Sequence, residues 1–414
     1  MAKSVQDIPD KLLEVILLHL TSPPCIIRAA ATCRRWPRIV TSLRFRSHLC
    51  CRLEPHITGS YHQPQLAPSD GRPTFVPSSP ATGIHRRHFS LDFLPSGGGK
   101  SWKLADSSRS LLLLAKKGGW MRRCFPDLVV CEPLTRRHRL IPRPDEEMRH
   151  HECLGIFLSA YSSNDDMSGF SVTCVLYESC TRFSGEIGTV RACVFSRRRR
   201  GIWRWTAGRS AAMDGLRLNL QGKDSLQFAG RAGGSSFWWI EDERPLRRLV
   251  CASGTGFSLV NLPEHIQRLC TGTSAFRIIG GGDGKVRIAC LAGENLSVFA
   301  RDYLMGVGYE WELEKHLNLR TATCGLPGSK EEYFRDSPAK IVAVSGRCLV
   351  LTPDGENWYF SVELETGRVE ALHVGSRRTA VAFPYELPWP PRFQACLCTC
   401  RRRGQGPCCE ICAC

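Results

Sequence analysis

Seven of the 22 cysteines crowd into the last 19 residues, from Cys396 to Cys414. Cys409 and Cys412 have the Cys-x-x-Cys spacing with which a zinc knuckle grips its ion, and Cys396, Cys398 and Cys400 could complete a thiolate set. Alternating Cys-x-Cys pairs suit a metal cluster better than a tetrahedral finger, and the segment lacks apolar residues to pack around one. Residues 393–414 are therefore expected to form a disordered Cys/Arg-rich tail, with metal binding by Cys396, Cys398, Cys400, Cys409 and Cys412 as the alternative. Other chemically suggestive stretches sit in the wrong context. Gly97-Gly98-Gly99-Lys100-Ser101 has Leu94 where a phosphate loop needs its first glycine, and no long helix follows it. Gly280 to Gly284 reads as a turn between two strands, not a dinucleotide loop. His150-His151-Glu152-Cys153 lacks the helical His-Glu-x-x-His spacing, and no Gly-x-Ser-x-Gly elbow occurs. No cofactor and no catalysis are expected.

The net charge of +17 raises the question of an acidic or nucleic-acid partner, and Arg197 to Arg200 is the densest basic block. The other arginines are dispersed in pairs, as solvated loop ends would be. Trp203 and Trp205 alternate with Arg204, which predicts one face of a strand rather than a base-stacking platform, so nucleic acid is not the expected partner. Cys131, Cys174, Cys193, Cys251, Cys290 and Cys348 lie in apolar, strand-like runs and are expected to pack as small hydrophobes. No run reaches the roughly 20 apolar residues of a membrane span, and no secretory signal opens the chain. An intracellular protein, cytoplasmic or nuclear, with reduced thiols and no membrane association is expected.

The elements begin with short helices. Asp10 is placed to cap a first helix, in which Leu13, Ile16, Leu17 and Leu20 recur at i, i+3, i+4, i+7. Ser22-Pro23 signals a second helix running to Thr32, and Cys33 to Ser42 a third. Three short helices cannot cover their own apolar surface, which implies a partner. The ordered positions Ile8-Pro9, Leu12-Leu13, Ile16-Leu17, Arg28 and Cys33-Arg34-Arg35-Trp36 resemble the F-box, the adaptor-binding module of Skp-cullin-F-box ubiquitin ligases. The resemblance implies that Ile8, Pro9, Leu12, Leu13, Ile16, Leu17, Arg28, Cys33 and Trp36 bind a Skp-type adaptor and, through it, a cullin.

Recurring prolines over residues 46–83 predict a Pro/Ser-rich linker without helices or central strands. Residues 84–392 carry short apolar runs between turn residues, so β structure should dominate. Hairpins are expected at Val130 to Pro142, Val250 to Pro263, Arg287 to Phe299 and Tyr359 to Leu372. Repeated hairpins over this length suit a propeller better than a sandwich. The segment Cys131 to Arg137 with Ile141-Pro142, and the closing Phe383 to Pro391, are similar to plant F-box-associated β-propeller domains, the latter to their cereal-grass branch. The expected fold class is α+β multidomain: a small three-helix F-box at 5–45, followed by a large all-β, propeller-like domain. The resemblance implies a non-catalytic receptor subunit that presents an unknown client protein to the ligase. The alternatives are an F-box protein without a client, or a basic nucleic-acid-binding module.

Overall fold

The computed structural model describes residues 8–20, 25–26, 29, 35–40, 42, 44–45, 48, 57–63, 72–77, 86–95, 101–116, 125–144, 151–160, 167, 169–180, 187–197, 201–211, 220–221, 226–240, 248–253, 256–269, 275–280, 284–302, 310–335, 339–345, 348–356, 358–372 and 381–386. Of the three expected N-terminal helices, two are described at length: α1 (Asp10–Leu18) and α2 (Arg35–Val40). Leu13, Leu17, Ile26, Ile39, Val40 and Phe45 form their shared core. Asp10 does not cap α1. Pro9 occupies the cap position without a side-chain bond, and Asp10 instead accepts from Arg35 Nε at 2.6 Å.

Beyond this module the described residues are mostly β. Sheet strands occur as β1 (Ile57–Gln63), β2 (Thr74–Pro77), β3 (Trp102–Ser108), β4 (Leu111–Lys116), β5 (Leu128–Glu132) and β6 (Arg137–Ile141). They continue as β7 (Glu152–Ala160), β8 (Phe170–Cys180), β9 (Ile187–Arg197), β10 (Trp203–Ser210), β11 (Leu220–Gln221), β12 (Leu226–Ala232), β13 (Ser235–Ile240), β14 (Arg248–Ser253) and β15 (Gly256–Asn261). After α3 (Glu264–Leu269) come β16 (Phe276–Gly280), β17 (Lys285–Ala292), β18 (Asn295–Asp302) and β19 (Glu312–Asn318). The chain then forms α4 (Leu319–Thr323), β20 (Ala339–Ser345), β21 (Cys348–Pro353), β22 (Tyr359–Glu363), β23 (Val369–Leu372) and β24 (Val381–Glu386). The sheets are meanders: β3 to β6, β7 to β10, β12 to β15, β16 to β19 and β20 to β23, each antiparallel in chain order. β12 and β16 pair in parallel and join two of these meanders into one eight-stranded sheet. Gly230 permits that approach: its φ is +144°, and a Cβ there would lie 2.0 Å from the Ile278 carbonyl oxygen.

The first strand of each meander contacts the first strand of the next. Contacts run from β3 to β7, β12, β16 and β20, then to β24, and from β24 back to β3. β24 is flanked in its own sheet by β1 and then β2. The stretch expected to be a linker without central strands therefore contains a central one. β1 falls in a proline-free window, and its pairing partner, Tyr61 with Phe383, lies near the other end of the described chain. Pro77 ends β2, an edge strand, where a missing amide breaks no ladder.

Alternation explains how the sheets stack. In β4 the odd residues Leu111, Leu113 and Ala115 enter a core with Ile156, Leu158, Val172 and Phe195 of the next meander. The even residues Leu112 and Leu114 enter the core holding Tyr61 and Tyr385. In β13, likewise, Phe237 and Trp239 face one neighbour and Trp238 and Ile240 the other. Strands buried on both faces must be apolar throughout, hence the Leu-Leu-Leu-Leu run. Cys131, Cys174, Cys193, Cys251 and Cys290 are buried in these layers, and Cys348 is half-buried. Burial pushes the Cys153 thiol up to about 12, so it stays a neutral thiol near pH 7.

The four expected hairpins form, as β5–β6, β14–β15, β17–β18 and β22–β23. Two share one turn chemistry. Thr135 Oγ1 donates to Glu132 at 2.5 Å, and Thr366 Oγ1 donates to Glu363 at 2.6 Å. The next residue in each, Arg136 (φ 53°) or Gly367 (φ 76°), turns left-handed.

Candidate functional site

Beyond the charged side of Asp10, Lys11 and Glu14, α1 carries more apolar residues than one face can bury, and packing decides which of them face outward. Leu13 and Leu17 are each 1% exposed, whereas Leu12 is 57%, Val15 50% and Ile16 50% exposed. Pro9 is exposed one turn before Leu12, so Pro9, Leu12, Val15 and Ile16 make a continuous stripe on one side of the helix. Ile16 thus leaves the inward stripe that its spacing with Leu13 and Leu17 suggests. Ile8 and Trp36 are half-buried against the module core and frame the stripe from behind. Arg28 and Cys33 lie outside the described residues, as do the tail cysteines Cys396, Cys398, Cys400, Cys409 and Cys412.

Arg35 holds this stripe in place, and spacing alone does not single it out. Its guanidinium binds the Asp10 carboxylate and the Ile8 carbonyl oxygen, tying α2 to the start of α1. Arg44 reaches Glu14 at 3.5 Å further along. The helix is thereby fixed by its polar residues and one buried edge, with an apolar edge left to water. Half-exposed Leu, Val and Ile side chains each retain on the order of 1 kcal/mol of burial free energy that a partner surface would release.

In the β region one polar network links the first strands of three meanders. Asp106 on β3 accepts from the Leu158 amide of β7 at 2.7 Å, from the Ser107 amide at 2.9 Å, and from Arg231 Nη1 of β12 at 2.5 Å. Arg231 Nη2 also donates to the Leu158 carbonyl oxygen at 3.1 Å. One ion pair thus spans three sheets. Burial pushes the Asp106 carboxyl up, with Arg231 and the two amides opposing. A strand register shift between Leu104 and Asp106 turns this carboxylate toward its partners. A cleft of about 340 Å³ opens elsewhere, between β2 and the 3-10 turn Arg86–Phe89, lined by Arg72, Thr74, Phe75, Leu91 and Asp92.

Other candidates resolve plainly. Trp203 and Trp205 both pack on the core shared with the β3–β6 sheet, as one strand face. Gly280 ends β16 just before β17 begins, so the glycine run joins two antiparallel strands. His151 lies 3.9 Å from Glu178, and Cys153 Sγ points to the Gly155 carbonyl. Among the described residues no three His, Cys, Asp or Glu side chains gather around a metal-sized point, and no helix is long and apolar enough to cross a membrane.

No curated protein matches the chain. Among solved structures the chain is similar to the β-propeller domain of Cps50 (Swd1) from Myceliophteria thermophila, at 10% identity and a TM-score of 0.34, over 64% of this chain and 70% of that one. It is also similar to a chain of a nidogen/laminin complex, at 10% identity and a TM-score of 0.36, over 79% and 97% respectively. A third similar structure is AztD from Citrobacter koseri, at 10% identity and a TM-score of 0.31, over 70% and 76%. At the N-terminus, residues 5–48, which contain the exposed stripe of α1, match the F-box domain.

Proposed function

We propose that this chain is a substrate-receptor subunit of a Skp-cullin-F-box ubiquitin ligase. The exposed stripe Pro9, Leu12, Val15 and Ile16 on a helix inside an F-box match is the observation that carries the reading. The stripe binds a Skp-type adaptor and thereby a cullin, while the β domain presents a client. Leu13 and Leu17 act from behind, by holding the helix, and Trp36 supports its edge. The chain itself does no chemistry in this reading. Ubiquitin transfer belongs to other subunits, and the receptor raises the local concentration of client lysines.

The β domain in this proposal runs from Ile57 to Glu386 and forms a six-bladed ring. Its support is the succession of strand contacts β24, β3, β7, β12, β16, β20 and again β24. β1 pairs with β24, so one blade is assembled from both ends of the domain, which is the way a ring is held shut. Residues 393–414 lie beyond that closure and are proposed to be dispensable for it.

The test is capture of a purified Skp-type adaptor by the full chain. L12D/I16D should weaken capture by at least about 100-fold, because interface anchors commonly contribute 2 kcal/mol or more each. Its melting temperature should not change. Undiminished capture by this variant removes the adaptor assignment.

A further inference from the structure

The outer strands of two neighbouring sheets, β6 and β10, meet where Arg139 lies over Trp203, and the groove we read between them carries charges that are unmatched among the described residues. On β6, Arg137, Arg139 and Ile141 share one face by alternation, and Ile141 is buried in the core that Trp203 and Trp205 of β10 also touch. The Arg139 guanidinium lies over the Trp203 ring, 4.7 Å from its centroid. Arg197 stands directly opposite Trp203 in the β9–β10 ladder and so projects from the same sheet face. Arg139 and Arg197 are exposed and Arg137 is half-buried. Among the described residues no carboxylate pairs with any of the three. The contrast with the same region is direct: Arg136 binds Asp92 and Arg143 binds Asp127, both at 2.8 Å. Ile202, just before Trp203, is 61% exposed.

The aromatic residues decide which polyanion fits. Trp203 is stacked on Phe195 at 5.3 Å, leans on Phe170 at 4.6 Å, and carries Arg139 over its ring. Trp205 stands perpendicular to Phe125, and its Nε1–H donates to the Pro142 carbonyl oxygen at 2.6 Å. The Trp203 ring, stacked on Phe195 and capped by Arg139, offers no free face to a nucleobase, the feature that single-strand binders depend on. What the groove does offer is guanidinium forks, which pair bidentately with carboxylates. Arg137 and Arg139 repeat at two strand positions, about 6.7 Å, which is the spacing of alternate side chains in an extended peptide.

We propose that this groove is a docking surface for an acidic, Asp/Glu-rich extended segment of a protein client. The inference rests on the reading of the β domain as the client-presenting half of a receptor.

The experiment is fluorescence anisotropy of the full chain with a fluorescein-labelled dodecapeptide of alternating Glu and Ala. A peptide of alternating Lys and Ala and a labelled oligouridylate run in parallel. The Glu peptide should bind, and more weakly as salt rises. R139E/R197E should weaken it at least about ten-fold, and R139K/R197K, which keeps the charge but loses the fork and the stacking on Trp203, should weaken it less than R139E/R197E but measurably. R320E/R335E, an equal change of charge at exposed arginines outside the groove, should leave binding within about three-fold. If charge reversal lowers the melting temperature, R139Q/R197Q keeps most of the stem on Trp203 and takes its place. Three results overturn the inference: no binding of the Glu peptide, equal loss in R320E/R335E, or tighter oligouridylate binding that R139E/R197E abolishes. Adaptor capture is read on the same preparations. Loss of the peptide arm with capture intact removes only this inference, whereas failure of the wild-type chain to capture adaptor removes the receptor reading.

Discussion

Helix α1 and strand β4 are both short, leucine-rich and central to their parts of the molecule, yet they dispose of apolar surface in opposite ways. β4 buries Leu111 through Ala115 on both faces, because a sheet lies on either side of it. α1 buries Leu13 and Leu17 and leaves Leu12, Val15 and Ile16 half exposed, because its module has only one small core to offer. The β region therefore supplies most of its own apolar contacts, with Val76, Leu140, Ile202, Phe228 and Leu313 exposed on different elements, whereas in the helical module the exposed apolar residues Leu12, Val15 and Ile16 gather on one helix. That asymmetry fits the proposed receptor, in which the β domain folds on its own contacts and the helix presents its exposed edge to an adaptor.

The comparison breaks first if the β region is not self-sufficient, and its most exposed dependency is Arg231. Removing Arg231 from this partly buried, hydrogen-bonded ion pair leaves Asp106 with only its two amide donors, at a cost of about 1–3 kcal/mol. R231A should lower the β-domain melting temperature in calorimetry by more than any other single polar substitution on β12. It should not alter adaptor capture. The double variant D106L/R231M, which removes both charges, should recover much of the loss. A melt unchanged by R231A would mean that the three sheets joined at Asp106 hold together without it.

The second test sits on adjacent residues of α1. L13A removes a side chain from a small core and should cost about 2–4 kcal/mol, enough to melt a module of this size outright. L12A removes a half-exposed side chain and should cost the free chain under about 0.5 kcal/mol. Both should weaken adaptor capture, but only L13A should abolish the helical circular dichroism of the module and the protection of its amides. Equal stability losses in the two variants would erase the distinction between inward and outward faces.

These faces also show what the sequence discloses. The module was legible as a whole because its markers, from Ile8 to Trp36, lie within one contiguous stretch. The inward face of α1 was not, since apolar residues at positions 12, 13, 15, 16, 17 and 18 give a periodicity that fits more than one stripe. Hairpins were legible because turn chemistry is local. The Glu132–Thr135 and Glu363–Thr366 contacts each span three residues, and two aligned segments carry them. Ring-like order was only partly legible, and the role of β1 was hidden, because its partner Phe383 is remote in sequence. The Asp106–Arg231 pair was likewise invisible: its members are 125 positions apart, and nothing local marks either.

The smallest effect discriminates between the two matching turns. Thr135 is 6% exposed and Glu132 1%, and Glu132 also accepts from Ser110 at 3.0 Å, so this carboxylate lives inside the protein. Thr366 is exposed, and water can replace its hydroxyl at Glu363. T135A removes a donor from a buried carboxylate and should destabilise the β domain by about 1–3 kcal/mol, the cost of an unmet buried acceptor. T366A should cost only about 0.5 kcal/mol, since the exposed turn keeps its left-handed Gly367 and its solvated acceptor. Chemical denaturation of the two variants against the parent chain measures both numbers. Equal costs would show that hairpin geometry, common to both turns, sets their stability; a several-fold difference shows that burial does, and extends the contrast between α1 and β4 down to a single hydrogen bond.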